Sequence, residues 1–253
     1  MYIILATSAT LACSFGCAWL GMIIRSRLPA HHLERESQDV VRLGIGLVAT
    51  MTALLLGLII ADAKGSYDLQ DAAIRNSAAD ILLLDRLLER YGPEAKSARD
   101  LLKETVAHRI AATWPSHSFL SPNPNGFAPG MGGEAIESRI LDLVPTTDSE
   151  RWIKTQALLL TQEVLKSRWG LLSTSKGSVP PAFLIAVIFW LAVTFASFGL
   201  FAPRNGTVVT VFFVVALSVA AAVFLILELD QPFSGLIRIS SGPLRYALEN
   251  LGK

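Results

Sequence analysis

The sequence predicts an all-α integral membrane protein in which four transmembrane helices, arranged as two hairpins, flank a helical soluble insert. Of its 253 residues, 52% are hydrophobic and 17% are charged, which is more apolar sequence than a soluble core needs. Four apolar runs are each long enough to cross a bilayer as a helix. Because lipid cannot hydrogen-bond to the backbone and no alternation of period two persists, helices are favoured over strands.

The apolar runs define the membrane-embedded part and hold no charged residue before Glu228. The first run is expected to remain as a helix instead of being removed as a signal peptide, because Arg25 and Arg27 follow it in place of a small-residue cleavage site. The loops at 25–42 and 203–206 are short, so consecutive runs are predicted to pair as hairpins. The runs cover residues 2–24, 43–61, 182–202 and 207–229.

A long hydrophilic segment between the hairpins is predicted to form the soluble insert. The second membrane helix is expected to continue into it, since apolar residues at helical spacing stop only at Gly92 and Pro93. Thr147 and Glu150 form a capping box at the start of the last insert helix. Further helices are predicted at 93–114, 134–143 and 147–169, with a Pro- and Gly-rich loop at 115–133. The expected domains are hairpin 1 at 1–61, the insert at 62–180, hairpin 2 at 181–229 and an interfacial carboxyl-terminal tail at 230–253.

Small residues recur along the second apolar run and form a flat ridge. Small side chains let another helix approach closely, so this ridge is predicted to be a helix-packing face, with a pore surface as the less favoured alternative. The spacing leaves open whether the partner helix belongs to the same chain or to another copy. The ridge consists of Gly46, Ala49, Ala53, Gly57 and Ala61.

A different face of the same helix carries larger side chains. If copies of the chain form a ring, this face is a candidate apolar gate that lines a central lumen. Its members are Val48, Thr52, Leu55 and Ile59.

Charged residues collect where the second and fourth membrane helices end, on one side of the membrane. Acids at the carboxyl end of a helix oppose its dipole and need compensation from a base, a cation or water. One hypothesis is a carboxylate cluster at a pore mouth that concentrates cations; the alternative, which we favour, is a set of solvated, salt-bridged helix ends. The residues are Asp62, Lys64, Glu228 and Asp230.

Signals for catalysis or metal binding are weak. Cys13 and Cys17 lie within the first apolar run and are interpreted as packing residues. His31, His32 and Glu36 have too few companion ligands for a metal site and are interpreted as part of an interfacial loop. The sequence has no HExxH, P-loop, GxGxxG, GxSxG or CxxC motif. We therefore expect no enzyme activity and no cofactor, and the net charge of +1 gives no basis for nucleic acid binding.

Four sequence blocks resemble the bestrophin-like domain family of bacterial and plant multi-pass membrane proteins. They are RLPAHHLERESQDVVRLGIGL, ATMTALLLGLIIADAKGSYDLQ, LLLDRLLERYGPEAK and ELDQPFSGLIRIS. The resemblance implies two transmembrane hairpins around a helical insert and a remote similarity to anion channels, without an established active site. Asp62 departs from the family pattern, in which this position is often small and neutral, and so argues against an acidic mouth shared by the family.

The side of the membrane that the insert faces stays open. Arginines in the first loop predict that this loop is cytoplasmic and that the insert faces outward. The resemblance implies the opposite, because bestrophins hold the corresponding region in the cytoplasm. The loop arginines are Arg25, Arg27, Arg35 and Arg42.

Two functions compete at this point. The first is an oligomeric, bestrophin-like ion channel of the cell membrane, or of the inner membrane in a two-membrane bacterium. Its partners would be the lipid bilayer, further copies of the chain and an inorganic ion. The second is a non-conducting membrane scaffold or sensor whose insert binds a partner. The oligomeric state discriminates between them, because four helices barely enclose a pore.

Overall fold

A computed structural model describes residues 2–27, 35–114, 131–174, 181–203, 205–233 and 235–253. Within these residues all regular structure is helical, which confirms the all-α prediction. The helices are α1 (Tyr2–Arg25), α2 (Arg35–Tyr91), α3 (Lys96–Thr113), α4 (Met131–Leu141), α5 (Asp148–Thr174), α6 (Pro181–Phe201), α7 (Gly206–Leu229) and α8 (Gly242–Asn250). A short 3-10 turn, Pro93–Ala95, precedes α3.

Four of these helices are long and apolar enough to cross a membrane, by length and composition: α1, α2, α6 and α7. Large apolar side chains point outward from all of them, for example Leu5, Leu54, Phe189 and Val214. Exposed apolar surface of this extent is compatible with lipid or with another protein surface, not with water. The chain is a membrane protein.

The chain divides into two compact units. The membrane unit comprises Met1–Tyr67 and Gly177–Ile237, and the insert unit comprises Asp68–Lys176 and Arg238–Lys253. Helix α2 contributes to both, because it continues without a break from the apolar run into the insert, as predicted.

In the membrane unit, α1 packs along α6 and α7. Gly21 of α1 faces the backbone of Ala196, and Gly199 of α6 faces the backbone of Ala18. A Cβ atom at Gly199 would lie 2.9 Å from the carbonyl carbon of Ala18 and closer still to its oxygen. These two glycines therefore allow α1 and α6 to approach more closely than any side chain would permit.

A hydrophobic cluster joins α1, α2, α6 and α7 in this unit. The ring centroids of Phe15 and Phe213 are 5.9 Å apart in an edge-to-face arrangement at its margin. The buried members of the cluster are Ala18, Ile59, Val187, Leu191, Phe195, Ala216 and Ile226. Because Ile59 belongs to it, one face of α2 packs against the other helices of its own chain.

The insert unit follows the predicted helices with shifted ends. Helix α4 begins at Met131, so the last three residues of the loop expected at 115–133 are helical; residues 115–130 lie outside the described residues. The capping box is confirmed: the Glu150 N–H donates to Thr147 Oγ1 over 3.2 Å, and the Thr147 N–H donates to Glu150 Oε2 over 3.4 Å. Backbone and side-chain hydrogen bonds from Thr146 and Thr147 lower the pKa of Glu150.

The carboxyl-terminal segment differs from the expected separate tail, because it belongs to the insert unit from Arg238 onward. Trp114 Nε1 donates a 2.8 Å hydrogen bond to the Ile239 carbonyl, and Lys103 Nζ donates to the Leu251 carbonyl over 3.3 Å. Helix α8 buries Leu244 and Ala247 and packs on α3. Burial of this apolar stripe explains why the segment joins the insert.

An ion pair with a buried carboxylate joins α2, α3 and the carboxyl-terminal segment within the insert unit. Arg99 Nε and Nη2 donate to the two carboxylate oxygens of Asp85 over 2.8 and 3.1 Å, and the Gly252 N–H donates to Asp85 Oδ2 over 3.2 Å. The Asp85 side chain is only 1% exposed. Burial alone would raise the pKa of Asp85, but these hydrogen bonds and the charges of Arg99 and Arg86 outweigh it and hold the pKa below its usual value.

Candidate functional site in the membrane unit

The ridge of small residues on α2 lies on the outside of the membrane unit. Gly46, Ala53, Gly57 and Ala61 are exposed, and Ala49 is half-buried. A Cβ atom added at Gly46 or Gly57 would meet no atom within 4 Å. Among the described residues, the other helices of this chain therefore do not use the close approach that the two glycines offer.

The four candidate gate residues lie on the opposite, inner side of α2. Thr52 and Ile59 are each 5% exposed, and Val48 and Leu55 are half-buried. Ile59 belongs to the hydrophobic cluster, and Leu55 packs against it. The Thr52 hydroxyl donates to the Val48 carbonyl over 2.7 Å, which satisfies it within the helix. This face of α2 thus contributes to packing within the chain.

A third face of α2, which the sequence interpretation did not single out, carries exposed bulky side chains. We call Leu47, Met51, Leu54 and Leu58 the outer lane; they are between 49% and 71% exposed. Their spacing of four, three and four residues is that of a helix-packing seam, and this regularity was the signal available in the sequence. By helical geometry, the outer lane runs beside the ridge of small residues.

Glu228 and Asp230 have local roles at the end of α7. Glu228 is buried, and its Oε2 accepts hydrogen bonds from the N–H groups of Leu236 over 2.7 Å and Ile237 over 3.2 Å. These backbone donors supply the compensation that an acid at a helix end requires. The Asp230 N–H donates to the Ile226 carbonyl over 3.0 Å and ends the helix.

Asp62 and Lys64 are exposed on α2. Lys64 Nζ lies 5.8 Å from the ring centroid of Tyr67, one turn further along the helix. The carboxylate cluster of Asp62, Glu228 and Asp230 therefore stays the less favoured hypothesis. The Glu228 carboxylate already accepts hydrogen bonds from the backbone that follows α7.

Gly235 makes this turn possible. Its φ of 108° lies in a region that favours glycine, and a Cβ atom there would lie 2.5 Å from Glu228 Oε2. We expect Gly235→Ala to reduce the free energy of unfolding by about 1–3 kcal/mol, because it adds backbone strain and displaces the carboxylate. Thermal unfolding of the purified protein in detergent measures the loss.

The matched control for this prediction is Gly206→Ala at the start of α7. A Cβ atom at Gly206 would meet no atom within 4 Å, so the unfolding temperature of the Gly206→Ala protein should differ little from that of the wild type. Equal unfolding temperatures for Gly235→Ala and Gly206→Ala would contradict the role of the turn.

The residues considered as metal ligands and interpreted as part of an interfacial loop have no described side-chain geometry. His31 and His32 lie outside the described residues, and the side chain of Glu36 is not described. The part of the chain that the structure describes contains no group of three or more His, Cys, Asp or Glu residues placed to hold a metal ion. Cys13 is exposed on the apolar surface of α1, and Cys17 packs against the hydrophobic cluster.

A cavity of about 520 Å³ lies between α2, α6 and α7 in the membrane unit. It is at the end of these helices where α6 is connected to α7. We call it the loop-end cavity. Its walls are almost entirely apolar, and of the lining residues that the structure describes, Arg42 of α2 is the one that carries a charge. The lining residues are Arg42, Ile45, Gly46, Phe198, Phe201, Ala202, Thr207, Val208, Val211 and Phe212.

Comparison with known proteins agrees with the architecture of a helical membrane protein. A family model described as the Bestrophin-like domain matches residues 12–244. The chain belongs to the Bestrophin-like domain family, as the sequence blocks predicted.

The fold is also similar to a solved structure, the crystal structure of a point mutant of a bacterial bestrophin homologue from Klebsiella pneumoniae. The TM-score is 0.60, and the match covers 99% of this chain and 98% of that one. The two chains are 15% identical, so this likeness concerns the fold alone. No curated protein matches the chain significantly.

Proposed function

We propose that this protein is an oligomeric ion channel of the cell membrane, whose four membrane helices cross the bilayer as two hairpins around the helical insert. The family and the likeness to a bacterial bestrophin homologue support this proposal. The observation that carries it is the surface of α2, where the ridge and the outer lane are both exposed although they lie in the middle of an apolar run.

In a ring of copies, these two surfaces would have different partners. The ridge would let a helix of a neighbouring copy approach closely, because Gly46 and Gly57 have open space in front of them. The outer lane would then face the central lumen and act as an apolar gate by excluding water. This lumen face differs from the one expected from the sequence, because Thr52 and Ile59 are buried in packing within the chain.

Ion flux into liposomes containing the purified protein tests the proposal. We expect the double variant Leu54→Ser and Leu58→Ser to raise the flux about tenfold, because hydroxyl groups in the gate would lower the barrier by about 1.4 kcal/mol. The mass of the protein in detergent should correspond to several copies.

Phe189→Ser on α6 is the control for a polar substitution on exposed apolar surface, since Phe189 is 63% exposed and lies outside the outer lane. It should leave the flux unchanged. A monomeric mass, or no flux from the wild type and the double variant, would end the channel proposal.

The insert also supports a second candidate function, a scaffold or sensor that binds a protein partner. Apolar side chains at Val144, Trp152 and Leu159 of the insert unit are 81%, 56% and 51% exposed. Aromatic and aliphatic side chains of this kind are typical of protein interfaces. Specific capture of a partner that Trp152→Ala abolishes, together with absence of flux, would favour this function over the channel.

A further inference from the structure

We propose that the loop-end cavity is a binding site for an anionic phospholipid, with the lipid phosphate on Arg42 and part of an acyl chain in the apolar interior. The cavity lies within the membrane unit and has a volume of about 520 Å³. This is within the range of about 300–1,000 Å³ that small-molecule sites occupy in proteins. Phe198, Phe201, Val211 and Phe212 provide walls that suit a hydrocarbon chain.

Arg42 places a positive charge at the wall of the cavity. It immediately precedes the apolar run that starts at Leu43, a position where arginine side chains reach the headgroup region of a bilayer. Its side chain is 61% exposed; it donates to Gln38 Oε1 over 3.4 Å and forms a 3.7 Å ion pair with Asp39, whose side chain is 71% exposed. Such a pair contributes little and leaves the guanidinium accessible to a phosphate.

Two further features of the residues around the cavity favour an anion. Arg25 Nη1 donates a hydrogen bond to the carbonyl oxygen of Ala202, which itself lines the cavity. Thr207 and Val208 also line it and belong to the first turn of α7, the positive end of the helix dipole, where Asn205 Oδ1 already accepts a hydrogen bond from the Val208 N–H. Among the described residues that line the cavity, none is acidic.

The combination of one charged wall and an apolar interior identifies the class of ligand. A free phosphate ion would leave the aromatic and aliphatic walls unused, and a zwitterionic lipid would bring a second, positive charge to a site that already has arginines. An anionic phospholipid such as phosphatidylglycerol satisfies both parts, because its phosphate pairs with the guanidinium and its acyl chain fills the cavity.

Native mass spectrometry of the full-length protein in detergent tests this proposal by titration with phosphatidylglycerol. We expect Arg42→Gln to weaken binding by about tenfold, the effect of losing one charged hydrogen bond. The matched control is Arg27→Gln, since Arg27 is an exposed arginine that follows α1 and does not line the cavity. Its affinity should stay that of the wild type.

A second pair of variants tests the cavity itself. Gly46 lines the cavity and Gly57 does not, yet both lie on the ridge of small residues and both have open space at their Cβ positions. Gly46→Leu should extend into the space and weaken retention of phosphatidylglycerol, whereas Gly57→Leu should retain the lipid. Because both substitutions alter the ridge equally, the comparison separates lipid binding from contacts between copies.

Several results would overturn the proposal. Equal affinity for phosphatidylcholine would remove the requirement for an anion, and displacement of the lipid by millimolar inorganic phosphate would remove the role of the acyl chain. If Gly46→Leu and Gly57→Leu both lost the lipid, the cavity would be part of a contact between copies and not a lipid site. The same would follow if the number of copies changed in Gly46→Leu alone. The measurement needs no ion flux, so failure here is distinct from failure of the channel proposal.

Discussion

Replacement of Gly199 by leucine is expected to separate α1 from α6 and to destabilise the membrane unit by about 3 kcal/mol, the upper part of the usual range for overpacking. The first atom of any side chain at Gly199 would overlap the carbonyl oxygen of Ala18. This neighbour is backbone within a helix, so it cannot rotate away as the end of a flexible side chain would. Loss of helical signal on heating in detergent measures the effect.

Two further substitutions show whether the loss of stability arises from the close contact between α1 and α6. Gly21→Leu should be similarly harmful, because a Cβ atom there would overlap the backbone of Ala196. Gly16→Leu is the control: Gly16 lies on the exposed side of the same helix α1, with nothing within 4 Å of a Cβ position. If all three variants unfold at the same temperature, the close approach does not determine the stability of the unit.

Substitution of Asp85 by asparagine is expected to lower the free energy of unfolding of the insert unit by about 3–5 kcal/mol, because it leaves Arg99 without its carboxylate. The Asp85 side chain is 1% exposed and that of Arg99 is 19% exposed, so water replaces the lost partner poorly. The Gly252 N–H loses its charged acceptor as well, which weakens attachment of the carboxyl-terminal segment. Chemical denaturation followed by the fluorescence of the insert tryptophans measures this loss.

Asp100→Asn is the control for the removal of a charge. Asp100 pairs with Lys96 over 2.9 Å, but both side chains are more than 60% exposed, at 67% and 77%. An exposed pair of this kind contributes about 0–1 kcal/mol, so this variant should resemble the wild type. An equal effect of Asp85→Asn and Asp100→Asn would show that burial of the Asp85 pair is unimportant.

The same carboxylate predicts how stability depends on pH. The pKa of Asp85 is lowered in the folded protein, so its contribution is complete above the pKa of the unfolded chain, about 3.9. The contribution is then lost as the pH falls through the lower, folded pKa. We expect the wild type to lose more stability than Asp85→Asn when the pH is reduced below about 4. If the free energy of unfolding fell equally with pH in the wild type and in Asp85→Asn, this expectation would be contradicted.

The sequence alone was sufficient to predict the helices and several of their ends. Hydrophobicity and length are local properties, and a bilayer imposes a fixed thickness on them, so the four apolar runs identify helices α1, α2, α6 and α7. The capping box is equally local, because Thr147 and Glu150 satisfy each other's backbone within one turn. The continuous α2 followed from uninterrupted helical spacing up to Gly92.

The functional surfaces could not be predicted in the same way. In a soluble helix, polar residues mark the outside, but all faces of the apolar run in α2 suit lipid. Its periodicity therefore could not show that Thr52 and Ile59 pack inward and that Leu54 and Gly57 point outward. The partners of Glu228 depended on the path of the chain after α7, which carries no periodic signal.

The sequence by itself determined that the protein is helical, that it is a member of the Bestrophin-like domain family and where its apolar helices lie. Only the tertiary structure decided which side of each helix is covered, how closely α1 and α6 approach at Gly199, and that α8 joins the insert unit. The physical reason is that helix formation and insertion depend on neighbouring residues. Helix packing instead depends on the shapes of surfaces that are distant in the chain and equally apolar.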